Sequence, residues 1–179
     1  MLFAHDTEMA LQAAAALVNT AADGDELLPD PASLAAFLNG WGFTGSRVGN
    51  EGELAAVREL RTVLAGAWDA DEDTVVAVVN RLMREGHALP QLVRHDDWGY
   101  HVHATEPTAS VADRMGVEAA MAIADVVRAD ALDRLRRCAA DRCDDALVDL
   151  TRNASRRFCD ASCANRSHVA AYRARRATA

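Results

Sequence analysis

The residues best equipped for chemistry are four cysteines, which fall as two close pairs, Cys138/Cys143 and Cys159/Cys163, late in a chain of 179 residues. Four residues separate the first pair, three the second, and fifteen lie between the pairs. Four thiolates can close a tetrahedral shell on Zn²⁺, and two short chelate loops joined by a spacer let a small segment do so without a large core. One structural zinc held by Cys138, Cys143, Cys159 and Cys163 is the reading this spacing favours. Disulfides compete with it. The chain opens on an acidic stretch with no signal peptide, so a reducing cytoplasm is expected, where disulfides do not persist. Neither pair has the two-residue spacing of thiol oxidoreductases, which leaves redox chemistry and buried free thiols as the weaker readings.

The spacer must place the pairs. Residues 146–150 are rich in branched apolar side chains and predict a short strand, 151–155 are polar turn material, and Arg156-Arg157-Phe158 can return as a second strand. The pairs then sit at the two ends of one hairpin. No Gly or Pro interrupts residues 164–176, and Val169 and Tyr172 are spaced i, i+3. This predicts a helix anchored by the last pair, with those two side chains turned to the hairpin. A knuckle, a hairpin and a helix make a treble-clef-like zinc finger.

Cys163-Ala164-Asn165-Arg166, preceded by Arg156-Arg157-Phe158-Cys159, with Asp149-Leu150-Thr151-Arg152-Asn153 in the hairpin and a trailing basic helix, closely resembles the CGNR zinc finger. Ala164 stands where that family has glycine, and the second pair is one residue closer than in many members. The N-terminal part resembles the ABATE domain that precedes this finger in stress-induced transcription regulators. His5-Asp6-Thr7-Glu8, Leu17-Val18-Asn19-Thr20 and His95-Asp96-Asp97 carry that likeness, so the resemblance spans essentially the whole chain. It implies the four cysteines as ligands and a bacterial DNA-binding regulator as the role.

The charge distribution bears on that role. The net charge of −8 is segregated: residues 1–133 hold 8 Arg against 22 Asp and Glu, a balance of −14, while residues 134–179 hold 11 Arg against 5 Asp, a balance of +6. The chain has no Lys. Four thiolates with one Zn²⁺ lower the local +6 by about two charges, so a basic patch survives. If DNA is the partner, Arg156, Arg157, Arg166, Arg173, Arg175 and Arg176 would contact phosphates, and Asn165, Arg166 or His168 near the helix start would reach base edges. Arg166 and Arg173, seven apart, share a helix face; Arg156 and Arg157, adjacent on a strand, point to opposite sides. Arg166 could equally screen the thiolates. The alternative is a protein-interaction or small-effector-binding module in which zinc is purely structural and the Arg-rich tail meets an acidic protein surface. RNA binding would want interleaved aromatics, and Phe158 and Tyr172 are alone in the finger.

Upstream, half the residues are apolar and no run approaches the ~20 apolar residues of a membrane span, so a soluble globular chain with no membrane partner is expected. Helices are predicted over residues 6–22 (Asp6 or Thr7 as cap), 31–40 (Asp30 cap, Pro31 first), 51–67 (Asn50 cap, Glu53 three on), 73–85 (Asp71 or Asp73 cap) and 110–128. The loop with Gly42, Gly45 and Gly49 is expected to be mobile. Residues 91–95 and 100–104 alternate around Asp96-Asp97-Trp98-Gly99, a β-hairpin pattern. The fold class expected is therefore mainly α with a small β-hairpin (α+β): a helical domain over 1–131, then the finger over 132–179. Sensing and homodimerisation are the roles open to the helical part. His101 and His103 lie two apart on one strand face with His95 across the turn, and such a trio could bind a metal or a small anionic effector; a solvent-facing strand is also an ordinary place for histidine. His5-Asp6-Thr7-Glu8 reads as a cap with first-turn acids. No nucleophile–base pattern, phosphate loop or paired-carboxylate motif supports catalysis, so no enzyme is expected.

Overall fold

A computed structural model describes residues 2–94 and 99–177, with the side chains of Asp23 and Ala177 left aside. His95, Asp96, Asp97 and Trp98 lie outside the described residues. The order is α1 (His5–Asn19), α2 (Pro31–Gly40), α3 (Glu51–Ala65), α4 (Glu72–Glu85), β1 (Gln91–Val93), β2 (His101–His103), α5 (Val111–Arg128), β3 (Leu135–Arg137), β4 (Ala146–Val148) and α6 (Ala161–Ala177). Mainly helical with two small antiparallel hairpins, β1–β2 and β3–β4, this is the α+β class expected.

Four helices start where their caps place them. The Asp30, Asn50, Asp71 and Ser110 side chains each accept the backbone N–H three residues on, and Pro31 occupies the first turn of α2. α1 differs from expectation. Its N-cap is Ala4 with no side-chain cap, because Asp6 and Thr7 have tertiary partners instead: Asp6 Oδ2 accepts the Val102 N–H at 3.2 Å, and Thr7 Oγ1 donates to Asp125 at 3.0 Å. Glu8 reaches back past the cap and accepts from Leu2 N and Phe3 N. Glu53 likewise reaches back past its cap to Val48 N and Gly49 N. The loop expected to be mobile is tied down by Arg114, which is buried and donates to Ser46 O (2.8 Å) and Pro107 O (3.2 Å).

One core joins these elements. Leu11, Leu17, Leu54, Val57, Val75, Ile123 and Val126 are fully buried, and Leu34 and Leu38 cover one end from α2. α4 and α5 approach so closely that a Cβ on Gly86 would lie 2.4 Å from Val117 Cγ2. The same core takes in Leu135, Ala146 and Val148 from β3–β4, so the apolar face of the second hairpin belongs to the helical body although its turn belongs to the finger.

The register is Leu135↔Val148, Arg136↔Leu147, Arg137↔Ala146, which corrects the expected hairpin. β4 pairs backwards with β3, and Arg156-Arg157-Phe158 forms no strand. The reason is Asp149, fully buried, whose carboxylate takes Thr151 N (2.9 Å), Thr151 Oγ1 (2.5 Å) and Arg156 N (2.7 Å). Those amides are thereby curled round one carboxylate and are not available to a ladder.

Candidate metal centre

Each cysteine pair owes its place to a different element. The β3–β4 hairpin carries Cys138 and Cys143 in its turn, where Cys138 N donates to Asp145 O at 2.8 Å and Arg142 takes a positive φ of 60° to tighten the knuckle. The second pair comes from the loop and first turn of α6. Asp160 Oδ1 accepts the Cys163 N–H at 2.7 Å, capping the helix, and this bond holds the Asp160 carboxyl below the usual carboxylate range. The two halves are stitched by Ala139 N to Arg157 O at 2.8 Å and by Cys159 N to Cys138 Sγ at 3.3 Å.

All four Sγ atoms lie within 4.8 Å of one another, with Cys143–Cys159 at 3.7 Å and Cys159–Cys163 at 3.4 Å. A regular ZnS₄ tetrahedron with bonds of ~2.3 Å has edges of about 3.8 Å, so the sulfurs stand where the shell requires them. The thiols are free, and the 3.4 Å separation is well beyond the ~2.05 Å of a disulfide. Cys138, Cys143 and Cys163 are buried, Cys159 half-buried, around Leu147, Ala140 and Phe158. Burial pushes the Cys143 thiol up to about 12 and Cys159 higher still. For Cys138 the same burial is outweighed by the amides of Cys159 and Ala140, which hold it below the usual thiol range. Buried thiolates gathered this closely need a dication to coexist, and the closed, all-sulfur donor set marks one structural zinc.

Arg166 donates to Cys163 Sγ at 3.0 Å, so it screens a ligand thiolate. Arg156 bends back to the carbonyls of Phe158 (3.1 Å) and Cys159, and is also occupied in building the finger. Arg157 is exposed, its guanidinium 5.8 Å from the Phe158 ring centroid, and His168 meets the same ring edge-on at 5.9 Å. Asn165, Arg173, Arg175 and Arg176 lie exposed along α6, with Arg176 over the Tyr172 ring. The expectation that Val169 and Tyr172 pack on the hairpin is corrected: they are 47% and 54% exposed, and it is His168 that meets Phe158. His101 and His103 meet on β2; the expected third member, His95, lies outside the described residues.

Of the residues that dock the finger, sequence reasoning named only Asn19, within the Leu17-to-Thr20 stretch that carried the ABATE likeness, and gave it no role. Asn19, at the end of α1, accepts from Ala146 N (2.7 Å) and donates to Ala146 O (2.9 Å), pairing with the edge of β4 as a strand would. Trp68, buried in the short turn Gly66–Trp68, donates its indole N–H to Leu147 O at 3.0 Å. Arg137 forks onto Asp69, with contacts of 3.1 and 2.5 Å, and reaches Ala65 O. Asp149 also holds Arg136 at 3.1 Å. Its only trace in the sequence is its place in the Asp149-to-Asn153 stretch that carried the likeness to the finger.

Among the described residues no helix is long and apolar enough to cross a membrane. No curated protein matches the chain. Two family models do: one described as "Putative stress-induced transcription regulator" (ABATE) over residues 11–130, and the CGNR zinc finger over residues 134–176. With the first covering most of the chain and the second falling on the four-sulfur site, this protein belongs to the ABATE family and carries a zinc-binding CGNR finger.

Proposed function

We propose that this chain is a DNA-binding transcription regulator without an enzymatic activity of its own, whose zinc is structural and whose helix α6 lies on the nucleic acid. The observation that carries the reading is the helix itself. From His168 to Arg176 every residue of α6 is exposed, and this stretch carries Arg173, Arg175 and Arg176 on a helix whose first turn holds Cys163 of the metal site. Asn165 and His168, nearer the start of the helix, would reach base edges, and Arg157 would add one cation. Arg156 and Arg166 are assigned to the finger's own structure, which reduces the expected contact set. The helical part, with its strong excess of acid, would be repelled by DNA and is left for sensing or dimerisation.

One observation favours the interaction-module reading: Arg137 already pairs with Asp69 of the helical part, so finger arginines do meet this protein's own acids. Titration of the full chain against random and genomic DNA at two salt concentrations separates the two. Under the DNA reading log K falls steeply with log salt, and Arg173→Ala lowers that slope by about one for every sequence tested. Binding that is absent at low salt, or that survives undiminished when residues 168–176 are removed, would refute it.

A further inference from the structure

We propose that His101 and His103 form a second metal site, on the helical part, for a divalent cation of the imidazole-preferring class such as Zn²⁺. It stands independently of the DNA reading. The two residues are i, i+2 on β2 and so share a face, and their Nε2 atoms lie 3.0 Å apart. His101 Nδ1 lies 2.9 Å from Gly99 O. A carbonyl only accepts, so Nδ1 carries the proton, and in the neutral ring the lone pair is left at Nε2. His103 fills it with an Nε2–H.

Two nitrogens bound at ~2.1 Å with an angle near 90° are separated by about 3.0 Å, so the spacing of the two Nε2 atoms suits one cation set to the side of the line between them, once each ring turns its Nε2 from its neighbour toward it. His103 then moves its proton from Nε2 to Nδ1, a tautomer shift with no net release. The bond from His101 Nδ1–H to a backbone carbonyl is the outer-shell contact that metal-bound histidines commonly make; it fixes the tautomer and raises the basicity of Nε2. One carboxylate stands near the pair: Asp6 accepts the amide of Val102, the residue between the two histidines. Two imidazoles do not by themselves close a shell, unlike the four-sulfur centre. The site sits at one end of α1, whose other end clamps β4 through Asn19, about 20 Å of helix away.

The test is a Zn²⁺ titration of the full chain with its finger already loaded, read by native mass spectrometry and calorimetry. The wild-type chain should take a second zinc, weaker than the finger's. His101→Asn and His103→Asn should each weaken that second binding at least tenfold while the finger keeps its metal. Zn²⁺ should also protect His101 and His103 of the wild-type chain from acylation by diethyl pyrocarbonate, a readout that does not depend on how a variant folds. A wild-type chain that stays at one zinc, a second zinc that survives in both variants, or unchanged acylation would each overturn the proposal.

Discussion

Removing the carboxylate of Asp149 should loosen the segment that delivers the second cysteine pair, and the cost can be worked from its contacts. The group is fully buried and receives Thr151 N, Thr151 Oγ1, Arg156 N and the Arg136 guanidinium. Hydrogen bonds to a charged acceptor contribute about 1.5–3 kcal/mol each, but Thr151 and Arg156 are exposed and their groups can rehydrate, so the lower end applies. Arg136, mostly covered, still loses its buried counter-ion. Asp149→Ala should therefore cost about 4 kcal/mol, and Asp149→Asn, which keeps one acceptor oxygen, about 2 kcal/mol. For a chain of this length about 4 kcal/mol lowers Tm by roughly 10 °C. Thermal denaturation by circular dichroism at fixed zinc, paired with zinc release to a chromogenic chelator, measures both effects. The variant should lose zinc faster as well as melt earlier, because residues 151–156 lead directly into Phe158 and Cys159. An Asp149→Ala protein within ~0.5 kcal/mol of wild type that holds zinc equally well would refute the assignment of this carboxylate as the finger's organiser.

Other outcomes follow from the same contacts. Cys159→Ser should lose zinc and expose the amides of α6 to hydrogen exchange while β3–β4 stays protected, since Leu135, Ala146 and Val148 belong to the main core; loss of protection in both would show one inseparable unit. Arg166→Ala should weaken zinc retention through Cys163, whereas Arg173→Ala should leave retention unchanged and act only on polyanion binding; a chelator competition on both variants decides. Glu118, against Ala10, Leu17, Leu64 and Met115, is pushed up to about 7 by burial, with Arg114 opposing. Its raised pKa means stability present below pH ~4.3 is lost as pH rises through about 7, so Glu118→Gln should exceed wild type at pH 8 by on the order of 1–3 kcal/mol and match it near pH 4, measured by denaturant unfolding. Glu26 is lowered to about 2 by its fork to Arg61 and lies partly exposed, so wild type should exceed Glu26→Gln by up to about 1 kcal/mol above pH ~4.5, with the gap closing toward pH 2. A gap that widens in acid would contradict the pairing.

The sequence by itself determined the metal centre and most of the helices, because both rest on short-range rules. Cysteine spacing limits which shells can close, and a capping side chain reads an amide only three residues away, which is why Asp30, Asn50 and Asp71 were legible. The charge split between the two parts was likewise plain. What pairs with what was decided only by the tertiary structure. Residues 156–158 are as fit for a strand as 135–137, yet the buried carboxylate of Asp149 takes the amide of Arg156, and β4 turns back to β3 instead. Asp6 and Thr7 look like caps but are drawn to partners 96 and 118 residues away. Val169 and Tyr172 have core spacing, but among the described residues no element covers that face of α6. Asn19 meets Ala146 across 127 residues. Each of these outcomes is a competition between partners distant in the chain, and local pattern carries no information about which one folding brings within reach.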